Sequence, residues 1–263
     1  MLENTKNEFK TTIVEMFGER TIDGKCKFCG EDLTNEKYCY CVDAQKINSY
    51  YRKVSKRISD FDWTIQAGNE KNYIKNLVAY AGVPNRYKGK TFDDFDGTLA
   101  ADAQIKKSVM NYYLHIIENY ITGRNLILIG NFGTGKTLLM SILVNAIVFC
   151  KGLSAKYING VELINEIQDT YSNNKRSTLC VTNEYRNADF LFIDDLDKIN
   201  ATPDARKLIY SIVNDRYDRQ MPTIISANSS VEVLDAEYFG EAVISRLVEN
   251  STLIQFSQKN KRY

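Results

Sequence analysis

Leu126-Ile127-Leu128-Ile129-Gly130-Asn131-Phe132-Gly133-Thr134-Gly135-Lys136-Thr137-Leu138-Leu139-Met140 is the stretch on which the reading of this chain turns. Its first four apolar residues predict a buried strand, and the apolar segment from Leu138 onward predicts a helix. Between them stands G-x-x-x-x-G-K-T, which in a strand–loop–helix setting is a phosphate-binding loop. Glycines let the backbone curl so that successive N–H groups point inward, and a helix N-terminus adds partial positive charge. Gly130, Asn131, Phe132, Gly133, Thr134 and Gly135 are therefore expected to cradle nucleotide phosphates. Lys136 is expected to reach the β- and γ-phosphates of ATP, and the Thr137 hydroxyl to ligate Mg²⁺. A plain glycine turn is the other reading of the bare pattern, and the flanking strand and helix argue against it.

Downstream, Phe190-Leu191-Phe192-Ile193-Asp194-Asp195 predicts a buried strand with two carboxylates at its C-terminal end. Ligand sites of parallel sheets lie at that end. Asp194 is expected to hold Mg²⁺, and Asp195 to orient and polarise an attacking water. By contrast, Lys151, Asp197 and Lys198 carry no comparable signal. Pro222-Thr223-Ile224-Ile225-Ser226-Ala227-Asn228 predicts a further strand, whose terminal amide can touch the γ-phosphate or the water. Gly240 through Leu247 predicts a helix with one cation, Arg246, among apolar residues. Elements alternate near 154–158, 159–171, 189–194, 203–219 and 222–227, which implies an α/β fold: a parallel sheet with helices on both faces. Thr202 and Pro203 predict the N-cap and first turn of the 203–219 helix. Leu208, Ile209, Ile212, Val213 and Tyr217 are its expected buried stripe. Ahead of the phosphate loop, Ile105, Val109, Tyr112, Ile116, Ile117 and Tyr120 predict one helix closed by Gly123.

The 263 residues carry a net charge of +1, so bulk charge does not mark a nucleic-acid binder, although local patches remain possible. A polar N-terminus without a signal-peptide core and the lack of a long apolar run predict a cytoplasmic protein with no membrane partner. There cysteines stay reduced, and a cysteine cluster points to metal or catalysis. Four of the six cysteines form such a cluster: Cys26 and Cys29, then Cys39 and Cys41. Two thiolate pairs on a short hairpin predict a closed, structural Cys₄ zinc site. Buried thiols or a redox pair are the alternatives. Cys150 and Cys180 read as ordinary thiols. Helices are expected over 4–17, over 42–59 with a basic face (Lys46, Arg52, Lys53, Lys56, Arg57), and from Trp63 to Tyr80, ending at Gly82-Val83-Pro84.

The order of these motifs, ending in Ser245-Arg246-Leu247, resembles that of AAA+ ATPases. Gly82-Val83-Pro84-Asn85-Arg86-Tyr87, Thr91-Phe92-Asp93-Asp94-Phe95 and Asp169-Thr170-Tyr171-Ser172-Asn173 are similar to segments of bacterial and phage replicative helicase loaders of the DnaC/DnaI type. Phe256 and Arg262 match as well. The resemblance covers about residues 80–263, and a Cys₄ module ahead of it is similar to the DnaI and phage branch. It implies a zinc-binding, helicase-interacting domain over 1–79 and an AAA+ ATPase domain over 80–263. It implies that Asn228 is the first sensor, that Arg246 is an arginine finger acting on a neighbouring subunit, and that Arg262 is the counterpart of the second sensor. It further implies that Tyr171, Lys175 and Arg176 contact single-stranded DNA, an aromatic beside cations being suited to base stacking. The implied partners are a hexameric replicative helicase, single-stranded DNA and further copies of the chain. Two departures stand out. Asp195 stands where many AAA+ proteins have Glu, which implies slow hydrolysis, and too few residues follow Arg246 for a helical lid domain. Within the same fold, an IstB-like transposition ATPase is an alternative, which the cysteine module argues against. Outside it stands a non-hydrolysing adaptor switched by ATP.

Overall fold

The computed structural model describes residues 21–22, 25–26, 76–151, 153–172 and 176–257. The chain divides into two compact units, Met1–Asp62 and Trp63–Tyr263. In the first, β1 (Thr21–Ile22) pairs antiparallel with β2 (Lys25–Cys26), Cys26 lying opposite Thr21. Cys29, Cys39 and Cys41 lie outside the described residues, as do the helices expected over 4–17 and 42–59.

The second unit is built on five parallel strands: β3 (Asn125–Gly130), β4 (Ala155–Asn159), β5 (Phe190–Asp194), β6 (Thr223–Ala227) and β7 (Ser251–Phe256). Their order across the sheet is β4-β5-β6-β3-β7. The phosphate-loop strand β3 and the acidic strand β5 are thus not neighbours; β6 runs between them and brings its own C-terminal end to the same edge. Every residue of β3, β5 and β6 is buried, as a sheet covered on both faces requires. Successive side chains point to opposite faces. Ile127, Ile129, Leu191, Ile193 and Ile225 join one core cluster with Ile209, Ile212, Val213, Ile244 and Leu247. These come from α6 (Pro203–Asp218) and α7 (Glu241–Val248). The alternate residues Leu126, Leu128, Phe192 and Ile224 are buried too. The helix following the phosphate loop, α3 (Lys136–Lys151), packs on β3, β4 and β5.

Several expectations are refined. The helix foreseen before β3 is two: α1 (Ala100–Leu114) and α2 (Ile116–Thr122), broken at His115. The stripe from Ile105 to Ile117 crosses the break because Asn119 donates to the Tyr112 carbonyl at 2.8 Å and closes it. Gly123 ends α2 with φ 66°, as read. Residues 76–81 are helical and lead into two 3₁₀ turns, Asn85–Tyr87 and Phe92–Asp94. Thr91 and Asp94 cap the second reciprocally. Asn145 of α3 donates to the carbonyls of Tyr87 and Lys90 at 2.9 and 3.0 Å, fastening this lead-in to the phosphate-loop helix.

α4 (Gly160–Ser172) follows β4, and α5 (Thr178–Asn187), which the sequence reading lacked, follows it with Ser177 as N-cap. Strand β7 was also not foreseen; it aligns residue by residue with β3, from Asn125↔Ser251 to Gly130↔Phe256. In α6, Thr202 and Pro203 start the helix as expected, but Arg216 is buried where Tyr217 was expected, and Tyr217 is exposed. The Arg216 guanidinium donates to Thr223 Oγ1 and to the carbonyls of Tyr185, Arg186, Ala188 and Pro222. It thereby ties the end of α5 to the starts of β5 and β6.

Candidate active site

Three strands end in chemistry at one edge of the sheet. β3 delivers the phosphate loop, β5 delivers Asp194 and Asp195, and β6 delivers Asn228. Within the loop, Gly130, Gly133 and Gly135 all have positive φ, at 152°, 73° and 97°. Two of these positions also lack room for a side chain. A Cβ on Gly130 would lie 2.4 Å from the Phe256 carbonyl oxygen, and one on Gly135 would lie 2.8 Å from the Phe95 ring. Phe95 and Phe256, quoted above from opposite ends of the resemblance, therefore wall the same loop. Thr134 Oγ1 donates to the Asn131 carbonyl at 2.9 Å and tightens the turn.

Lys136 is buried, and its ammonium donates to the carbonyls of Gly130 and of Asn131, the latter at 2.8 Å, and to Asn228 Oδ1 at 3.0 Å. Thr137 is half-buried one residue further into α3. A curled run of glycines around a buried ammonium fits a polyphosphate, which offers such a cation stronger acceptors than carbonyls.

Asp194 is buried and held from both neighbouring strands. Tyr157 of β4 donates to its Oδ2 at 2.5 Å, and Ser226 of β6 donates to its Oδ1. Burial, and next the Asp194 carboxylate, push the Tyr157 phenol far above its ordinary pKa, so it stays a donor. The fixed carboxylate fits a hard divalent cation such as Mg²⁺, which takes oxygen ligands. Asp195 adopts the left-handed conformation, φ 53° and ψ 51°, and its N–H donates to Ser226 Oγ at 2.9 Å. Such a backbone costs a non-glycine residue about 1–2 kcal/mol, and Asp is among the residues that tolerate it. Burial raises the Asp195 carboxyl pKa; Asp194 and Asp197 add to this, while Lys136 and Lys198 oppose it.

Asp197, dismissed from sequence, is a buried member of the site. It accepts from the Asn228 N–H at 3.2 Å, from Asn228 Nδ2 at 3.3 Å, and from the Ser229 N–H and hydroxyl at 3.2 Å each. Lys198, likewise dismissed, sets its ammonium 4.3 Å from the ring centroid of Phe132 at the exposed tip of the phosphate loop. The signal that could have found both was the charged turn Asp194-Asp195-Leu196-Asp197-Lys198 at a strand end, four charged residues interrupted only by the buried Leu196. Tyr157 and Ser226 had no such signal, since only pairing of the strands brings them to Asp194.

Arg246 does not join this group. It donates to Asn214 Oδ1 at 2.8 Å and to the Ala242 carbonyl, and lies over the rings of Tyr210 and Tyr217. Its own carbonyl accepts from Asn125 Nδ2 at 3.2 Å. Asn125 begins β3 and Gly130 ends it, so Arg246 stands a full strand length, roughly 16 Å, from its own loop. With Asn125, Thr223 and Asn250 it lines a cavity of about 420 Å³ at the far end of the sheet. Tyr171 is exposed at the end of α4; Arg176 pairs with Glu184, and Lys175 and Arg262 lie outside the described residues. No helix among the described residues is long and apolar enough to cross a membrane.

Comparison with known proteins adds to this geometry. The family model described as IstB-like ATP binding protein matches residues 75–263. Among curated relatives, the uncharacterized protein YqaM of Bacillus subtilis is 28% identical over 183 residues, covering 66% of this chain and 56% of its own. The replicative helicase loader DnaC of Escherichia coli K12 is 28% identical over 134 residues, covering 51% of this chain and 54% of its own. The chain thus spans about half the length of the curated relatives it matches. Among solved structures, the crystal structure of the DnaC helicase loader aligns with a TM-score of 0.60 at 24% identity, covering 66% of this chain and 100% of that one. The fold is therefore the P-loop AAA+ type expected from the motif order.

Proposed function

The chain belongs to the family of IstB-like ATP binding proteins, and on that premise we propose that it is an ATP-dependent loader of a hexameric replicative DNA helicase. The observation that carries the ATPase part is the convergence of Lys136, Asp194, Asp195 and Asn228 at the C-terminal edge of β3, β5 and β6. Gly130–Thr137 bind the phosphates of ATP, with Lys136 exchanging its carbonyl partners for phosphate oxygens. Thr137 and Asp194 hold Mg²⁺, which when bound neutralises charge on the β- and γ-phosphates. Asp195, at the C-terminal end of β5 beside Asp194, orients the attacking water.

Arg246 acts on ATP bound by a neighbouring copy. Its distance from its own loop supports this, since a guanidinium there serves a phosphate only across an interface. Residues 1–79 grip the helicase, with Cys26, Cys29, Cys39 and Cys41 holding a structural zinc. Tyr171, Lys175 and Arg176 meet single-stranded DNA. The protein works in the cytoplasm. Support for the loader reading over other ATPases of this fold comes from the DnaC relatives.

The test measures ATP turnover by the full chain alone, with single-stranded DNA, and with a replicative helicase, alongside co-elution with that helicase. Turnover raised by both partners and ATP-dependent co-elution support the loader. Stimulation by DNA without any helicase binding favours the second reading, a transposition ATPase, to which the family description also points. Binding of ATP without turnover under any condition favours an adaptor switched by ATP.

A further inference from the structure

We propose that Asp197 is a positioning residue that turns the Asn228 amide so that its oxygen, not its nitrogen, faces the phosphate loop, making Asn228 an acceptor for the attacking water. The inference rests on the ATPase reading of the site and deepens it.

Donors and acceptors on either side of Asn228 decide how its amide turns. A carboxylate accepts hydrogen bonds, and an ammonium only donates them. Asn228 stands between one of each. Its Nδ2 lies 3.3 Å from both oxygens of Asp197, and its Oδ1 lies 3.0 Å from Lys136 Nζ. Flipping the amide would set its oxygen against the buried Asp197 carboxylate and its NH₂ against the buried Lys136 ammonium, two repulsions. Both neighbours therefore select the same orientation.

Asp197 is itself immobilised. It sits in the 3₁₀ turn Leu196–Lys198, closed by Lys198 N–H donating to the Asp195 carbonyl at 2.9 Å. The backbone N–H groups of Asn228 and Ser229 and the Ser229 hydroxyl also converge on it. The whole end of β6 is thus fastened to the turn that carries Asp195, two residues away.

The consequence concerns what Asn228 can do. The γ-phosphate is an acceptor, so a side chain that presents oxygen toward it cannot hydrogen-bond it. Water can donate to that oxygen. When ATP draws Lys136 to its phosphates, Asn228 Oδ1 is released toward a water that Asp195 also contacts. Two acceptors then fix both O–H directions of the water and leave a lone pair for the phosphorus.

The test compares ATP affinity and turnover at saturating ATP in the full chain. Asp197→Ala frees the amide and should lower kcat roughly 10- to 100-fold, with the ATP Kd within about threefold of wild type because the loop and Lys136 are untouched. Asp197→Asn, which keeps the side-chain shape and one acceptor, should fall between the two. The swap Asp197→Asn with Asn228→Asp keeps one N–H···O contact between the positions and leaves only acceptors at 228. It should turn over faster than Asn228→Ala. A swap that binds ATP within about threefold of wild type and yet is no faster than Asn228→Ala would mean that position 228 must donate, overturning the inference. Wild-type turnover in Asp197→Ala, or an equal loss of affinity and kcat, would overturn it too. In each of those cases the wild-type protein still binds and hydrolyses ATP; failure of wild type to do so would instead remove the ATPase reading on which the inference stands.

Discussion

Replacing Arg216 by Met tests whether the buried guanidinium holds the strands that carry the site. Arg216 is fully buried, and burial, followed by the nearby Arg219, pulls its pKa down to about 9, so it is charged at neutral pH. Met fills similar volume without charge. Two effects then compete. Removing a buried charge relieves desolvation, which for paired ions makes an apolar replacement neutral or even stabilising. Here the partners are mostly main-chain carbonyls, which the substitution cannot remove. Pro222 O keeps the Leu191 N–H at 3.3 Å, and Arg186 O keeps Arg219 at 2.6 Å. Tyr185 O and Ala188 O, now 2.9 and 2.8 Å from Nη1, are the ones most exposed to loss. Each buried acceptor left unmade costs about 1–3 kcal/mol, and the relief of desolvation offsets part of it. The expected net loss is about 3 kcal/mol, equivalent to a Tm lower by roughly 6–12 °C for a unit of this size. Urea denaturation followed by circular dichroism should show a lower midpoint with an unchanged slope. Stability within 1 kcal/mol of wild type would refute the reasoning, because it would mean that the carbonyls find other partners at no cost.

Lys136→Ala should weaken ATP binding by roughly 100-fold, measured by calorimetry, whereas Asp195→Asn should keep ATP affinity and lose turnover by roughly 100-fold or more. Equal loss of affinity in both would refute the division between ground-state and transition-state roles. Mixing Arg246→Ala with Asp195→Asn, each inactive alone, should restore turnover at interfaces pairing an intact finger with an intact carboxylate; co-assembly without recovery would confine Arg246 to its contacts with Asn214, Tyr210 and Tyr217. One zinc per chain should be found by metal analysis of protein purified without chelator, and chelation should unfold the N-terminal unit while sparing ATP binding. Metal-free protein with that unit folded would sink the Cys₄ assignment.

The candidate site was legible in the sequence wherever its residues lie close together in the chain. Gly130–Thr137 is one continuous loop, Asp194 and Asp195 end one apolar run, and Asn228 ends another, so motif and periodicity found them. What the sequence hid is what sheet pairing assembles. Tyr157 and Ser226 reach Asp194 from separate strands, and Phe95 and Phe256 reach the loop glycines from opposite ends of the unit. The buried stripe of α6 was misread at one step: Ile209, Ile212, Val213 and position 216 share a face, but an arginine reads as surface, which moved the expected stripe to Tyr217. Strand β7 escaped because it alternates exposed and buried residues at a sheet edge, with Leu253 facing out and Ile254 facing in, beside a charged C-terminal run. Helix α5 escaped because only Val181, Thr182 and Tyr185 of its ten residues are buried.

The central claim is that ATP held by this site drives the placing of a ring-shaped helicase on DNA. Its most direct measurement asks whether the full chain puts a hexameric replicative helicase onto a covalently closed single-stranded DNA circle, scored by gel filtration of the helicase–DNA complex. With ATP and wild-type protein the helicase should co-elute with the circle, and with Lys136→Ala it should not. Equal loading by both proteins, or no loading over helicase alone when ATP is bound, would contradict the account.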